Sequence, residues 1–269
     1  MTATSVEPVT LPPPEVRESY GEGKYQFGEL RMPDGAGPHP IAIVVHGGCW
    51  CADNDLGYMR TVAAAFARAG LATWSLEYRR IGNDGGGWPG TFEDIAAGAD
   101  HLRELGRRFP LDLGQVLAIG HSAGGHLALW LAARWRLGKD QPLYRADPLP
   151  IAGVLGLAPA ADLALLHRRG LCGSAIDKLM GGSPKEVPER YRAGCPMELL
   201  PLGVPQVLAV GDGDRVWSRV ARRYFDKAVE AGDDVQILRV DPCEHFKIID
   251  PAASSWPFVR EAALCLLGR

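Results

Sequence analysis

Gly120-His121-Ser122-Ala123-Gly124 lies between two apolar runs, residues 115–119 before it and residues 123–135 after it. The first run is apolar without alternation, the pattern of a strand buried on both faces. The second is rich in alanine and leucine and apolar nearly all round, as in a helix packed against a sheet. A serine at such a junction must sit on a sharp turn with its hydroxyl exposed, and a side chain two residues away on either side would collide there. Glycines 120 and 124 meet that need. The helix start also aims free amides and a positive dipole end at negative charge forming near the hydroxyl. Gly-x-Ser-x-Gly in strand-turn-helix context therefore marks Ser122 as a candidate nucleophile. The bland alternative is a glycine-rich turn that merely packs close to the sheet.

Outward from this turn, short apolar runs at 41–45, 71–76, 151–157, 206–210 and 235–240 read as further buried strands. Helical patterns fall between them at 61–68, 91–107, 218–230 and 255–267. Such alternation predicts an α/β fold: a mostly parallel central sheet with helices on both faces. Residues 25–31 alternate and predict a half-exposed antiparallel edge strand. Residues 1–20, with three consecutive prolines at 12–14, read as a flexible leader, leaving 21–269 as a single domain. The stretch 159–200 holds short helical pieces and no strand. It is expected to be a small cap-like insertion, with a plain surface excursion as the alternative.

A serine hydroxyl needs an imidazole to take its proton, and the imidazole needs a carboxylate to fix its tautomer. With the chain order nucleophile, acid, base, His39, His46 and His101 come too early, and His121 and His126 flank the serine too closely. His167 falls in the irregular stretch. His245, just after the last strand, remains as the candidate base. Within Gly211-Asp212-Gly213-Asp214-Arg215-Val216, Asp214 is the favoured acid because a turn through the two glycines can bring it back toward His245; Asp212 and then Glu244 are the fallbacks. His46-Gly47-Gly48-Cys49-Trp50 follows a strand and offers backbone amides in a tight turn, so Gly48 and Cys49, with Ala123, are candidate oxyanion donors. His46 is read as a brace of that loop. Trp50 and Trp88, with Tyr58 and the 159–200 stretch, are expected to line a substrate pocket for an apolar or aromatic group, core packing being the alternative.

Composition narrows the function. A formal net charge of -3 and the absence of a basic stripe argue against nucleic acid or acidic membrane surfaces as partners and leave a small-molecule substrate. No run approaches the ~20 apolar residues of a membrane span, and the first twenty residues lack the pattern of a secretory signal. Six cysteines scattered without metal-site spacing predict reduced thiols in a cytoplasmic protein. No metal or organic cofactor is expected.

With strand-His-Gly-Gly-Cys-Trp, strand-Gly-His-Ser-Ala-Gly-Gly, Gly-Asp-Gly-Asp-Arg-Val and a late Glu-His-Phe in order, the chain resembles the α/β-hydrolase superfamily over nearly its whole length. Within it, the His-Gly-Gly-x-Trp loop, Glu77-Tyr78-Arg79-Arg80, Trp88-Pro89 with Asp94, and His245-Phe246 followed by Asp250-Pro251 resemble the small esterase and kynurenine formamidase-like branch. Relatives often carry glycine or alanine before the late histidine, where this chain has Cys243 and Glu244. The resemblance implies hydrolysis of a carboxylic ester through Ser122, Asp214 and His245. An arylformamidase using the same groups is the alternative, and a non-catalytic binding module on the same fold is the third reading.

Overall fold

Eight strands build one sheet in the computed structural model, which describes residues 11–268. They are β1 (Val16–Ser19), β2 (Phe27–Arg31), β3 (His39–Val45), β4 (Ala72–Leu76), β5 (Leu111–His121), β6 (Gly153–Leu157), β7 (Gln206–Gly211) and β8 (Val235–Val240). Their spatial order is β1-β2-β4-β3-β5-β6-β7-β8. From β4 to β8 every pairing is parallel, while β1 and β2 pair antiparallel to their neighbours. The apolar runs read as strands thus all lie in the sheet, with β5 ending at the Ser122 turn.

Period-two placement divides each central strand between two cores. Ile41, Ile43 and Val45 of β3 face one cluster, which includes Phe92, Leu127, Trp130 and Tyr224. Ala42 and Val44 face the other, with Val62, Phe66, Trp256 and Val259. Accordingly α1 (Arg60–Arg68) and α9 (Trp256–Cys265) cover one face. The other is covered by α2 (Gly90–Asp100), α4 (Ala123–Ala133) and α8 (Arg215–Glu230). All eleven residues of α4 are buried, which is why its sequence shows no polar stripe. The long helical pattern at 91–107 divides into α2 and the short α3 (Leu102–Leu105).

Two expectations need correction. Residues 25–31 do contribute an antiparallel strand, but it is neither at the edge nor half-exposed. Val16↔Leu30 pairing places β1 outside it, and Glu29 and Arg31, which the alternation reads as solvent-facing, are buried. Partners make that burial tolerable: the Arg60 guanidinium grips Glu29 at 2.7 and 3.0 Å, and Arg31 donates to the Pro12 carbonyl at 2.6 Å. For the same reason residues 16–19 of the expected leader belong to the sheet. Residues 1–10 lie outside the described residues.

The stretch 159–200 contains α5 (Leu163–Arg169), α6 (Ala175–Met180) and α7 (Pro188–Gly194) and no strand among its residues. It is fastened to α4, where Trp130 Nε1 donates to the Ala193 carbonyl at 2.9 Å and His126 Nε2 to the Gly194 carbonyl at 2.8 Å. Among the described residues no helix is long and apolar enough to cross a membrane.

Candidate active site

The turn after β5 is built as its glycines require. Ser122 holds φ 54° and ψ -116°, a strained left-handed geometry. A Cβ at Gly120 would collide with the Gly124 carbonyl, and one at Gly124 with the Val45 carbonyl. Backbone bonds pin the strained residue: Ser122 N donates to Leu157 O, and Ala160 N to Ser122 O, both at 2.9 Å.

Asp214 and His245 arrive from the ends of β7 and β8. Asp214 caps α8, its Oδ1 accepting from Trp217 N at 3.3 Å, and its other oxygen accepts from His245 Nδ1 at 2.6 Å. That bond fixes the proton on Nδ1 and leaves Nε2 as the free basic nitrogen. Gly213 N donates to Cys243 O at 3.0 Å, so the two loops are held together below the pair. Asp212 and Glu244, the fallback acids, are exposed. The Trp217 ring stacks on the imidazole at 5.0 Å and 19°. Ser122 and His245 wall a single cavity of about 520 Å³. Among the described residues no hydrogen bond joins their side chains.

His121 supports His245 from beneath. Its Nε2 donates to the His245 carbonyl at 2.9 Å and its Nδ1 accepts from the Tyr58 hydroxyl at 2.5 Å. Burial, reinforced by the neighbouring His245, pushes its imidazole down to about 3, and burial pushes that of His126 down to about 4, from an ordinary 6.5. Both rings are therefore neutral in the fold, whereas the unfolded chain takes up protons as pH falls through 6.5. Stability is thus lost on acidification, beginning near the unfolded value and continuing until the folded rings protonate. Each ring contributes at most about 1.4 kcal/mol per pH unit. The expected result is a urea midpoint that falls steadily between about pH 7 and about pH 5; a flat midpoint contradicts the assignment.

The loop after β3 presents Gly48 at φ 102°, Cys49 at φ 49° and Trp50 at φ 57°. The backbone N–H groups of Gly48, Cys49 and Ala123 donate to no acceptor among the described residues. His46 braces the loop as expected: its Nε2 meets Glu77 Oε1 at 3.3 Å, and its ring stacks on Tyr78 at 4.5 Å. The buried Glu77 carboxylate also accepts from the backbone of Leu56 and Tyr78.

Trp50 and Trp88 do not line this cavity. Trp50 is fully buried and donates to His126 Nδ1 at 3.3 Å. Trp88 packs on Phe92 and beside Arg190. Positive φ at Cys49 and Trp50 turns the chain so that the indole enters the core. Tyr58, expected with them, does line the cavity, and the other walls come from Leu171, Cys172, Trp217 and Phe246, with Asp53 and Asn54 supplying polarity. Trp217 carries a readable signal, being an aromatic residue in the first turn of the helix that follows Asp214. Leu171 is legible only as part of the 159–200 stretch.

Cys49 and Cys172 form a disulfide across 123 residues, with their Cα atoms 5.9 Å apart. The expectation of reduced thiols is wrong for these two, and the cytoplasmic expectation loses the argument drawn from them. Cys51, Cys195, Cys243 and Cys265 are free.

Solved structures share this architecture. A truncated carbohydrate esterase from gut microbiota is 17% identical, with a TM-score of 0.75 over 94% of this chain and 95% of its own. Inhibited esterase B from Lactobacillus rhamnosis is 22% identical, at 0.76 over 96% and 88%. The thermophilic esterase Est2 of Thermogutta terrifontis is 18% identical, at 0.74 over 95% and 93%. At these identities the likeness is one of fold, and the fold is that of the α/β-hydrolase superfamily. None of the curated proteins matches the chain. The BD-FAE family model matches residues 30–220, from β2 into α8 and so through the Ser122 turn, the 159–200 stretch and Asp214. With well over half its length matched, the chain belongs to the BD-FAE family.

Proposed function

We propose that the protein is a serine hydrolase that cleaves carboxylic esters of small or medium size through an acyl-enzyme on Ser122. The observation that carries this reading is the 2.6 Å Asp214–His245 bond at the cavity that also holds Ser122. Asp214 keeps the imidazole in the Nδ1–H tautomer, so Nε2 can accept the Ser122 proton as the hydroxyl oxygen attacks the carbonyl carbon. The N–H groups of Gly48, Cys49 and Ala123 take the oxyanion, and His245 then protonates the leaving alcohol. Water activated by the same nitrogen releases the acid and regenerates Ser122. The imidazole and the amides supply both proton transfer and charge stabilisation, so the cycle uses no metal or organic cofactor.

The apolar walls at Leu171, Trp217 and Phe246 suit an acyl or alcohol part with an aromatic or aliphatic body. The structural neighbours named above are called esterases, which favours an ester over an N-formyl amide. Assaying short p-nitrophenyl esters beside N-formylkynurenine on one preparation tests the choice. Esters are expected to give the higher kcat/KM; turnover confined to the formamide overturns the ester reading.

A further inference from the structure

We propose that the Cys49–Cys172 disulfide is a redox-removable brace of the oxyanion loop, so that the protein turns over esters efficiently only when this bond is closed. The proposal rests on the hydrolase reading above.

The bond has an unusual place. Cys49 is itself one of the three residues whose N–H is unpartnered at the cavity, and its backbone is held at φ 49°, between Gly48 at 102° and Trp50 at 57°. Three consecutive residues in left-handed backbone, two of them with side chains, do not hold this geometry by preference. Hydrogen bonds fasten the far side of the loop, where Cys51 N donates to Gly48 O and Ala52 N to Ile81 O. On the cavity side Cys49 is held by the disulfide and by the Cys51 thiol, which donates to the Cys49 carbonyl at 3.3 Å.

The other end of the bond sits in the 170–174 turn between α5 and α6. Cys172 has φ 60° and is flanked by Gly170 at 64° and Gly173 at 58°, around which a Cβ would meet open space. Among the described residues, the backbone bonds of this turn stay within its own segment: Gly170 N to His167 O, Leu171 N to Leu166 O, Gly173 N to Gly170 O, Ala175 N to Cys172 O. No hydrogen bond of the described residues joins the turn to the oxyanion loop. The disulfide is therefore the bonded link between the wall formed by Leu171 and Cys172 and the amides at residues 48 and 49. Both cysteines are part-exposed at the cavity, within reach of a reductant. Cys51 lies beside them, but burial pushes its thiol up, which disfavours internal exchange.

A dithiol opens the bond with balanced electrons. One of its thiolates attacks a cysteine sulfur to give a mixed disulfide, and its second thiolate resolves that species. Two electrons and two protons end on Cys49 and Cys172 as two thiols, and the dithiol becomes a cyclic disulfide. Cys49 is then free to leave its left-handed geometry, and its amide no longer points at the forming oxyanion.

The test uses the full chain purified without reductant, assayed on a p-nitrophenyl ester before and after dithiothreitol and after reoxidation. Alkylation and peptide mass spectrometry report the bond. In the oxidised protein Cys49 and Cys172 are expected in one cross-linked peptide. Reduction is expected to lower kcat by at least about tenfold, part of the ~10²–10³ that one oxyanion donor contributes, with KM changing less. Binding of a boronic acid, a mimic of the tetrahedral intermediate, should weaken in parallel. The final stoichiometry of fluorophosphonate labelling should stay the same, which separates a misaimed donor from unfolded protein. Cys172→Ser should resemble the reduced enzyme and ignore dithiothreitol, whereas Cys51→Ser should keep the full response. Equal kcat in both redox states, or no cross-linked peptide in the oxidised protein, overturns the proposal. An oxidised protein that is inert toward every ester and toward the fluorophosphonate contradicts the hydrolase reading itself and takes this inference with it.

Discussion

Ser122→Ala is expected to lower kcat toward any ester by about 10⁴-fold or more while leaving the fold intact. In the proposed cycle the substitution deletes the only atom that forms a bond to the acyl group. It costs the fold little, because the Ser122 side chain makes no hydrogen bond among the described residues and the elbow is pinned through backbone atoms of Ser122, Leu157 and Ala160. Residual turnover above the uncatalysed rate should persist, since the unpartnered amides of Gly48, Cys49 and Ala123 remain to polarise a carbonyl. Circular dichroism and the urea midpoint of the variant should match the wild type. A variant that keeps a tenth of the activity would remove Ser122 from the chemistry.

The second large effect distinguishes two carboxylates two residues apart. Asp214→Asn is expected to lower kcat by roughly 10³–10⁴-fold, because an amide in place of the carboxylate no longer holds the imidazole proton on Nδ1. Asparagine keeps an oxygen for the Trp217 amide, so the cap on α8 survives and the loss should appear in rate, not in stability. Asp212→Asn should leave kcat within about twofold, since Asp212 is exposed and its side chain bonds to nothing among the described residues. Steady-state kinetics of the two variants side by side give the answer, and comparable losses in both would contradict the assignment.

The strands were legible because a parallel strand buried on both faces must be apolar throughout, as the runs that became β3, β5 and β7 are. The elbow was legible because its glycines are a steric necessity. Asp214 could be preferred over Asp212 from the turn between them, and the 2.6 Å bond to His245 agrees with that preference. What escaped depends on contacts remote in sequence. The alternation at 25–31 cannot show that Arg60 neutralises Glu29 and that β1 covers the strand. The aromatic residue of the His-Gly-Gly-x-Trp loop looks pocket-facing until positive φ at two successive residues turns it into the core. Cys49 and Cys172, separated by 123 residues, meet only because the 159–200 stretch folds back over the site. His121, too close to Ser122 in the chain to act as its base, instead holds the carbonyl of His245.

The central claim is that one hydroxyl, on the turn after β5, is nucleophilic at neutral pH. Incubating the oxidised protein with a fluorophosphonate and mapping the adduct by peptide mass spectrometry tests it directly. The expected result is a single stoichiometric adduct on Ser122, lost in Ser122→Ala and formed far more slowly in Asp214→Asn. Folded protein that stays unmodified, or that carries the adduct on another residue, contradicts it.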